Sequence, residues 1–157
     1  PIEQTSSKQE IDIAFQEALS FVISHLRRLQ QRYSYTLCCR EKVKEAMAKD
    51  MLYLEFAEPI PWMENFFLLG GEAHPAIFVI MPTGEHWKLR GIPPNLKDRM
   101  NTRQPLPSSW AGLHDEELVR ASGIDGAIFC HKGRFISIWK LKLDAQKAMQ
   151  LIMTEKV

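Results

Sequence analysis

The sequence has few cysteines, scattered glycines and almost no net charge, and each of these features excludes a class of protein. Its three cysteines, Cys38, Cys39 and Cys130, cannot all pair and lack the spacing of a structural zinc site. We therefore expect reduced thiols, with one of the two neighbours Cys38 and Cys39 buried and the other exposed. The glycines form no phosphate-binding loop of the Walker or dinucleotide type. With 20 Lys and Arg against 19 Asp and Glu, the net charge of +1 excludes a uniformly basic nucleic-acid module.

Long apolar segments are also missing. No apolar run reaches about 18 residues, the length that a membrane-spanning helix needs, and no signal-peptide pattern is present. We expect no membrane partner and a cytoplasmic location. The 157 residues, 45% of them hydrophobic, suffice for one packed domain without metal or disulfide support. Because the chain begins with Pro1 rather than methionine, we expect it to be a piece of a longer protein.

The N-terminal fifth of the chain predicts a long amphipathic helix. Residues 1–10 are polar and without period, so we interpret them as a disordered lead-in to a single domain at 11–157. Apolar residues then recur at steps of three and four, which places them on one face of a helix. They are Phe15, Leu19, Val22, Leu26, Leu29 and Tyr33. We expect this stripe to pack into the core, and a dimer or coiled-coil face is the alternative.

The remaining elements predict an α+β (mixed α/β) fold. A small β-sheet of hairpins should pack against the long N-terminal helix and a C-terminal helix. The helices are expected at 41–50, from 114 or 115 to 123, and at 141–153, where Leu143, Met149 and Ile152 should be buried. The strands are expected at 51–56, 76–81, 86–92, 126–131 and 134–139. The aromatic cluster of Trp62, Phe66 and Phe67 is expected in the core, with base stacking as the alternative.

The two hairpins predict which side chains share a face. In the first hairpin Lys88 and Arg90 alternate with Trp87 and Leu89, which makes one face basic and one apolar. In the second, a two-residue turn at Lys132 and Gly133 would place His131 opposite Arg134 and Phe129 opposite Ile136. Cys130 would then face away from His131, which excludes a Cys-His catalytic pair. The adjacent residues His114, Asp115, Glu116 and Glu117 point in different directions on a helix, so they predict no metal site.

Charge is unevenly distributed along the chain. Residues 84–104 carry a net +3 and residues 131–147 a net +4, whereas residues 45–72 carry a net −5. If the two positive segments lie together in the fold, they would suit a polyanion on one side of the molecule. An ordinary solvated surface is the alternative, because runs of charge alone seldom specify a ligand.

Three motifs resemble the C-terminal part of the melanocyte-proliferating-gene family. They are WKLRGIP from Trp87, RQPLPSSWAGLHDEEL from Arg103 and SGIDGAIFCH from Ser122. The resemblance implies a metal-dependent hydrolase of the DHH phosphoesterase superfamily, with 3′-5′ RNA exonuclease activity in some members. The family's Asp-His-His motif is absent from this sequence. The resemblance therefore implies the substrate-binding half of a longer hydrolase, with no catalytic or metal-binding residue in this chain.

The resemblance also implies partners and site residues. The partners would be an N-terminal catalytic domain holding a divalent metal (Mn or Mg) and a nucleotide or RNA substrate. A homodimer is a further expected partner, which comes from the apolar stripe of the N-terminal helix and not from the resemblance. This chain itself would hold no cofactor. The expected substrate-binding residues are Arg103 and His131 from the family pattern, with Arg134, Arg90 and Lys88 from the basic segments.

Other positions that match the family pattern have structural interpretations. Trp110 and Phe135 are expected in the core because of their size, and Gly112 matches as well. Relatives carry two glycines where this chain has Ser137 and Ile138, so a close phosphate approach to that backbone is in question. The alternative function is a non-catalytic dimerisation or interdomain interaction module.

Overall fold

The computed structural model describes residues 7–155, which form two compact units, one up to Cys38 and one from Cys39 onward. The sequence analysis treated 11–157 as one domain with a disordered lead-in at 1–10. Residues 1–6 of that lead-in lie outside the described residues. Residues 8–10 are helical, because Ser7 and Glu10 form a capping box: the Glu10 N–H donates to Ser7 Oγ, 3.3 Å, and the Ser7 N–H donates to Glu10 Oε2, 2.6 Å.

The first unit is a single helix, α1, which spans Lys8–Cys38. The predicted helix is confirmed and is longer at both ends than the stripe that suggested it. The prediction that this stripe packs into the core is wrong, because no residue of α1 is buried. Phe15 is 62% exposed and Leu26 is 57% exposed.

The second unit has the predicted α+β architecture. Its five strands lie in the order β1-β2-β3-β5-β4, with β1 and β2 parallel and the other pairs antiparallel. The strands are β1 Tyr53–Glu55, β2 Phe78–Thr83, β3 His86–Gly91, β4 Ala127–Cys130 and β5 Ile136–Trp139. The helices are α2 Arg40–Ala48, α3 Met63–Leu68, α4 Asp115–Ser122 and α5 Lys142–Thr154, with short 3₁₀ turns at Gly71–Ala73 and Ser108–Trp110.

The two faces of the sheet are covered to different extents. Phe78, Leu89 and Trp139 point to one face, where α4 and α5 complete a core in which these three side chains are fully buried. On the other face, Leu54 and Val79 of β1 and β2 pack with side chains of α2 and α3. The strands β3, β5 and β4 contribute no buried side chain to that second face within the part of the chain that the structure describes.

The first hairpin forms between the predicted strands, with a shorter turn than the 82–85 segment left for it, whereas the second hairpin has a different register from the predicted one. Thr83 pairs with His86, so Gly84, with φ of 60°, and Glu85 form a two-residue turn. In the second hairpin Phe129 pairs with Ile138 rather than with Ile136. The His131 N–H donates to the Ile136 carbonyl, and residues 132–135 form the loop. A shift by two residues leaves Phe129 and Ile136 on one face and Cys130 on the other, as predicted, because side chains alternate with a period of two. The prediction that Phe135 lies in the core is wrong, because Phe135 falls in the loop, where it is only partly buried and its ring centroid lies 4.4 Å from that of His131.

The position of Arg134 explains the longer loop. Its backbone has φ of 60°, and its N–H donates to the His131 carbonyl at 2.8 Å, which closes a turn before the strand resumes. The Leu106 N–H donates to the Arg134 carbonyl, 2.8 Å, and draws the loop toward the segment before the second 3₁₀ turn. The contact with Leu106 joins residues far apart in sequence, so no local turn rule could have predicted it.

The C-terminal helix begins and packs almost as predicted. The Leu141 N–H donates to the Asp144 carboxylate, 3.1 Å, which satisfies a free donor at the helix start. Met149 and Ile152 are buried, but the prediction for Leu143 is wrong, since it is 56% exposed. The side chains that α5 buries are those of Asp144, Ala145, Ala148, Met149 and Ile152. Leu143 lies beside this stripe and not on it.

The predictions for the aromatic cluster and for the thiols are confirmed. Trp62 is 5% exposed and Phe66 is fully buried, so both belong to the core and neither offers a free face to a base. Cys38 is exposed, while Cys39 and Cys130 are buried, and all three are free thiols. None of the helices in the described range 7–155 has the length and apolar character needed to cross a membrane.

Burial raises the pKa of the Cys130 thiol to about 11, which predicts two pH-dependent results. At pH 8 an alkylating reagent should modify Cys38 rapidly and Cys130 only when the protein unfolds. Because the folded state holds the Cys130 proton more tightly than the unfolded state, stability should be unaffected below about pH 9 and fall between about 9 and 11. Urea unfolding across that range, with Cys130→Ser as the control, would measure this loss; an equal fall in the variant would contradict it.

Candidate functional site

The uncovered part of the second sheet face gathers basic and apolar side chains from three strands. Lys88 and Arg90 alternate along β3, and their strand partners on β5 are Ile138 and Ile136 respectively. Phe129 on β4 pairs with Ile138, which places it on the same face. We call this surface the basic half-face and define it by Lys88, Arg90, Phe129, His131, Phe135, Ile136 and Ile138.

The two cations of the basic half-face lack an anionic partner among the described residues. Burial lowers the pKa of Lys88, with a smaller contribution from the neighbouring charge of Arg90. Burial also lowers the pKa of Arg90, and repulsion from the charge of Arg99 lowers it further. The buried Nε of Arg90 has no hydrogen-bond partner. Partly desolvated cations without counter-ions attract an anion strongly, because less water competes for them.

A series of rings lies beside these cations. The Arg90 guanidinium is 5.7 Å from the centre of the Phe135 ring, a cation–π distance. The ring centroids of Phe135 and His131 are 4.4 Å apart, and those of His131 and Phe129 are 6.2 Å apart. Phe129 is 37% exposed. The series thus joins a guanidinium to aromatic faces of the kind on which bases stack.

His131 is oriented by its own turn. Its Nδ1 accepts a hydrogen bond from the Gly133 N–H at 2.9 Å. In the neutral ring this bond places the proton on Nε2, which makes Nε2 a donor. The structure therefore brings His131 together with Lys88 and Arg90 on one surface, as the two basic segments suggested, and leaves it a donor for an anionic ligand.

Arg103 has a different environment from the other predicted site residues. Its Nη1 donates to the carbonyls of His74 and Ala76 at 2.7 and 2.8 Å, and its Nη2 donates to the carbonyl of Gly71 at 2.7 Å. The guanidinium also lies 5.6 Å from the centre of the Phe66 ring. These contacts tie the loop after β3 to the segment before β2. The predicted phosphate-binding role of Arg103 stays a prediction, while its structural contacts are explicit.

Arg134 from the basic segments, and Trp110 and Gly112 from the family pattern, have structural explanations. The Arg134 Nε donates to the Leu106 carbonyl at 2.7 Å, so part of its guanidinium fixes the loop between β4 and β5. Trp110 is 3% exposed and packs edge-on against Trp139, with ring centroids 5.7 Å apart, which confirms its predicted core position. Gly112 has φ of 75°, a backbone conformation that residues other than glycine rarely adopt.

Sequence reasoning missed Ile138 and Phe135 of the basic half-face, and Arg99 near it. It placed Ile136 on the face of Phe129 and His131, but only the pairing of β3 with β5 brings that face beside Lys88 and Arg90. Arg99 acts on the pKa of Arg90 and forms an ion pair with Glu64 at 3.6 Å. Only the path of the loop after β3 brings Arg99 near the strand, so no local pattern could have identified it.

The positions of Ser137 and Ile138 clarify the substitution for the family's glycines. Ser137 is fully buried on the covered face, where its Oγ accepts a hydrogen bond from the Trp139 indole at 2.9 Å. Ile138 lies on the basic half-face, opposite Lys88. The serine therefore serves the core, while the isoleucine side chain occupies surface that a glycine would leave open.

The described residues offer no metal centre. Across 7–155, no group of three or more His, Cys, Asp or Glu side chains is placed to hold a metal ion. A two-metal hydrolase needs such ligands around its reacting phosphate. The residues in hand therefore do not fit the divalent metal that the resemblance implies, and we derive no catalytic step through a metal in this chain.

Comparison with known proteins establishes the family. Residues 1–153 match the sequence profile of the MYG1 exonuclease family, described as an uncharacterised protein family (UPF0160). The chain belongs to the MYG1 family. It is 46% identical to the MYG1 protein of Chlamydia pneumoniae over 156 residues, which cover 99% of this chain and 53% of that protein. The motif-based resemblance to the melanocyte-proliferating-gene family is thus confirmed at the level of the family.

Other MYG1 relatives show how much of the family's length is represented. The MYG1 protein of Chlamydia trachomatis is 48% identical over 145 residues, 92% of this chain and 50% of the relative. The human MYG1 exonuclease is 31% identical over 140 residues, 82% of this chain and 37% of the relative. The chain therefore spans about half the length, or less, of these curated relatives. No solved structure matches it.

Proposed function

We propose that this chain is the C-terminal, substrate-recognition part of a metal-dependent phosphoesterase of the DHH type, acting on nucleotides or short RNA. The observation that carries the proposal is the pair of partly buried, unpaired cations Lys88 and Arg90 beside the rings of Phe135, His131 and Phe129. Cations would hold the phosphates while the rings hold the bases. The exonuclease name of the human relative agrees with this substrate class.

The proposal assigns the chemistry and the binding to different parts of the protein. The divalent metal, Mn or Mg, and the groups that activate water would lie in an N-terminal catalytic domain. The share of the Chlamydia relatives that this chain leaves unmatched is large enough for such a domain. In this chain Lys88 and Arg90 would contact phosphate, and His131 would donate from Nε2. A cytoplasmic location is part of the same proposal.

Removing the charge of Lys88 should weaken RNA binding and reduce its dependence on salt. The Lys88→Ala variant should bind a labelled short RNA about tenfold more weakly at low salt, and the slope of log affinity against log salt should fall by about one. Arg90→Met should have a similar effect. Fluorescence anisotropy titrations at two or more salt concentrations measure both quantities, and thermal unfolding checks that Arg90→Met remains folded.

Lys147→Ala is a matched control for the loss of charge. Lys147 is exposed on α5, the helix that covers the opposite face of the sheet. Its replacement removes the same charge and should leave RNA binding almost unchanged. Equal weakening by Lys88→Ala and Lys147→Ala would show a non-specific electrostatic effect and contradict the proposed surface, as would the absence of binding at low salt.

The alternative function, a dimerisation or interdomain interaction module, is supported by a separate observation. No residue of α1 is buried, although its apolar stripe resembles the inward face of a packed helix. This observation concerns the first unit, whereas the RNA-binding proposal concerns the second. Both functions can therefore belong to one chain.

A further inference from the structure

The apolar residues of the exposed α1 stripe have a symmetric spacing: the steps between them are the same when counted from the N-terminus or from the C-terminus. Its eight apolar residues follow one another at steps of 4, 4, 3, 4, 3, 4 and 4. They are Ile11, Phe15, Leu19, Val22, Leu26, Leu29, Tyr33 and Leu37, with exposed fractions from 37% to 66%. At 100° per residue they fall within an arc of about 80°, so they form one continuous ridge along the helix.

This symmetry defines one way for two copies of the helix to pair. If two α1 helices cross antiparallel with their centres at Ser24, each stripe residue lies opposite a stripe residue of the other copy. Val22 then meets Leu26, and Leu19 meets Leu29, in both halves of the pair. A two-fold axis requires this reciprocity, in which a residue contacts its partner and the partner contacts it in return.

The charges of α1 favour the same orientation. Its N-terminal half carries Lys8, Glu10, Asp12 and Glu17, a net charge of −2, and its C-terminal half carries Arg27, Arg28 and Arg32, a net charge of +3. An antiparallel pair places the acidic half of each helix beside the basic half of the other. A parallel pair would place like charges together, which is unfavourable.

We propose that α1 is a self-association surface, and that two copies of this chain pair through it as an antiparallel helix dimer. The ridge runs over 27 residues, about 40 Å of helix, which is close to the four heptads that a stable coiled coil requires. The proposal does not depend on RNA binding, because the basic half-face belongs to the second unit.

The oligomeric state of the 157-residue chain is the first test. Sedimentation at about 100 µM should give about twice the monomer mass of 18.1 kDa. Val22→Glu and Leu26→Glu place a charge in the central layer and should raise the dissociation constant on the order of 100-fold. Ser24→Glu adds the same charge on the opposite side of the helix and should leave the dimer intact. A monomeric wild-type chain would overturn the proposal, and so would equal effects of all three variants.

The orientation is tested with the native thiol Cys38. It is exposed while Cys39 and Cys130 are buried, so a spin label can be placed on it selectively. In the antiparallel dimer the two Cys38 residues lie at opposite ends, about 42 Å apart along the axis. A parallel dimer would bring them within about 20 Å. Pulsed electron paramagnetic resonance distinguishes these distances, and a short distance would overturn the antiparallel arrangement.

Charge reversal gives an independent test of orientation. Changing Glu10, Asp12 and Glu17 to lysine should weaken the dimer about tenfold by placing two basic halves together. Changing Arg27, Arg28 and Arg32 to glutamate in that same chain should restore the affinity, because the halves are again opposite in sign. Failure of the second change to restore the dimer, with α1 still helical by circular dichroism, would contradict the charge argument.

Discussion

The Arg103→Met variant is expected to lose about 3 kcal/mol of folding stability, because one guanidinium satisfies three backbone carbonyls. These carbonyls belong to Gly71, His74 and Ala76, and each receives a charge-assisted hydrogen bond of 2.7 or 2.8 Å. Methionine keeps much of the side-chain volume over Phe66 but donates no hydrogen bond. Urea unfolding should show a lower midpoint with an unchanged slope.

Arg103→Lys separates the structural interpretation from the phosphate-binding one. A lysine ammonium keeps the positive charge but cannot reproduce the planar fork that reaches carbonyls on two sides. If the structural role dominates, the lysine variant should lose most of the stability that methionine loses and keep its RNA affinity. If Arg103 binds phosphate, the methionine variant should remain stable and lose affinity for RNA, which would show that the structural interpretation is wrong.

The Gly71→Ala variant is expected to destabilise the fold by about 3 kcal/mol through overlap in the core. A Cβ at this position would lie 2.5 Å from carbons of the Phe66 ring and 2.6 Å from the Phe66 carbonyl oxygen. Phe66 is fully buried, and its backbone cannot move away without disturbing α3. The same change would shift the carbonyl that accepts a hydrogen bond from Arg103. Thermal or urea unfolding would measure the loss.

The neighbouring glycine is the matched control for this prediction. Gly70 has φ of 89°, and a Cβ there would meet nothing within 4 Å. Gly70→Ala should therefore cost only the backbone strain of the left-handed conformation, about 1 kcal/mol. If the two alanine variants are equally stable, the close approach to Phe66 is not a determinant of stability.

Much of the fold could be predicted because local patterns in this chain agree with its tertiary structure. The alternation in β3 places Lys88 and Arg90 on one face and Leu89 on the other, as the structure shows. The acidic start and Gly123 define α4, in which the Gly123 N–H donates to the Val119 carbonyl at 2.7 Å. Such features depend on residues within one turn or one hairpin, so the sequence contains all the information they need.

The candidate site was predictable only in part. Lys88, Arg90 and His131 were identified from charge and motif, and the structure places them on one surface because β3 pairs with β5. Arg103 and Arg134 belong to the same basic segments, yet their guanidinium groups donate to backbone carbonyls. Composition cannot distinguish a cation that is free to bind a ligand from one whose N–H donors already bond to the protein's own carbonyls.

The sequence by itself determined the family, the α+β class, the two hairpins and the amphipathic character of α1. Only the tertiary structure decided that the α1 stripe is exposed, that the second hairpin is shifted by two residues, and that Arg103 bonds to the protein's own backbone. The physical reason is the same in each case. Periodicity records which side chains share a face, whereas burial, register and the pairing of donors depend on contacts between residues that are distant along the chain.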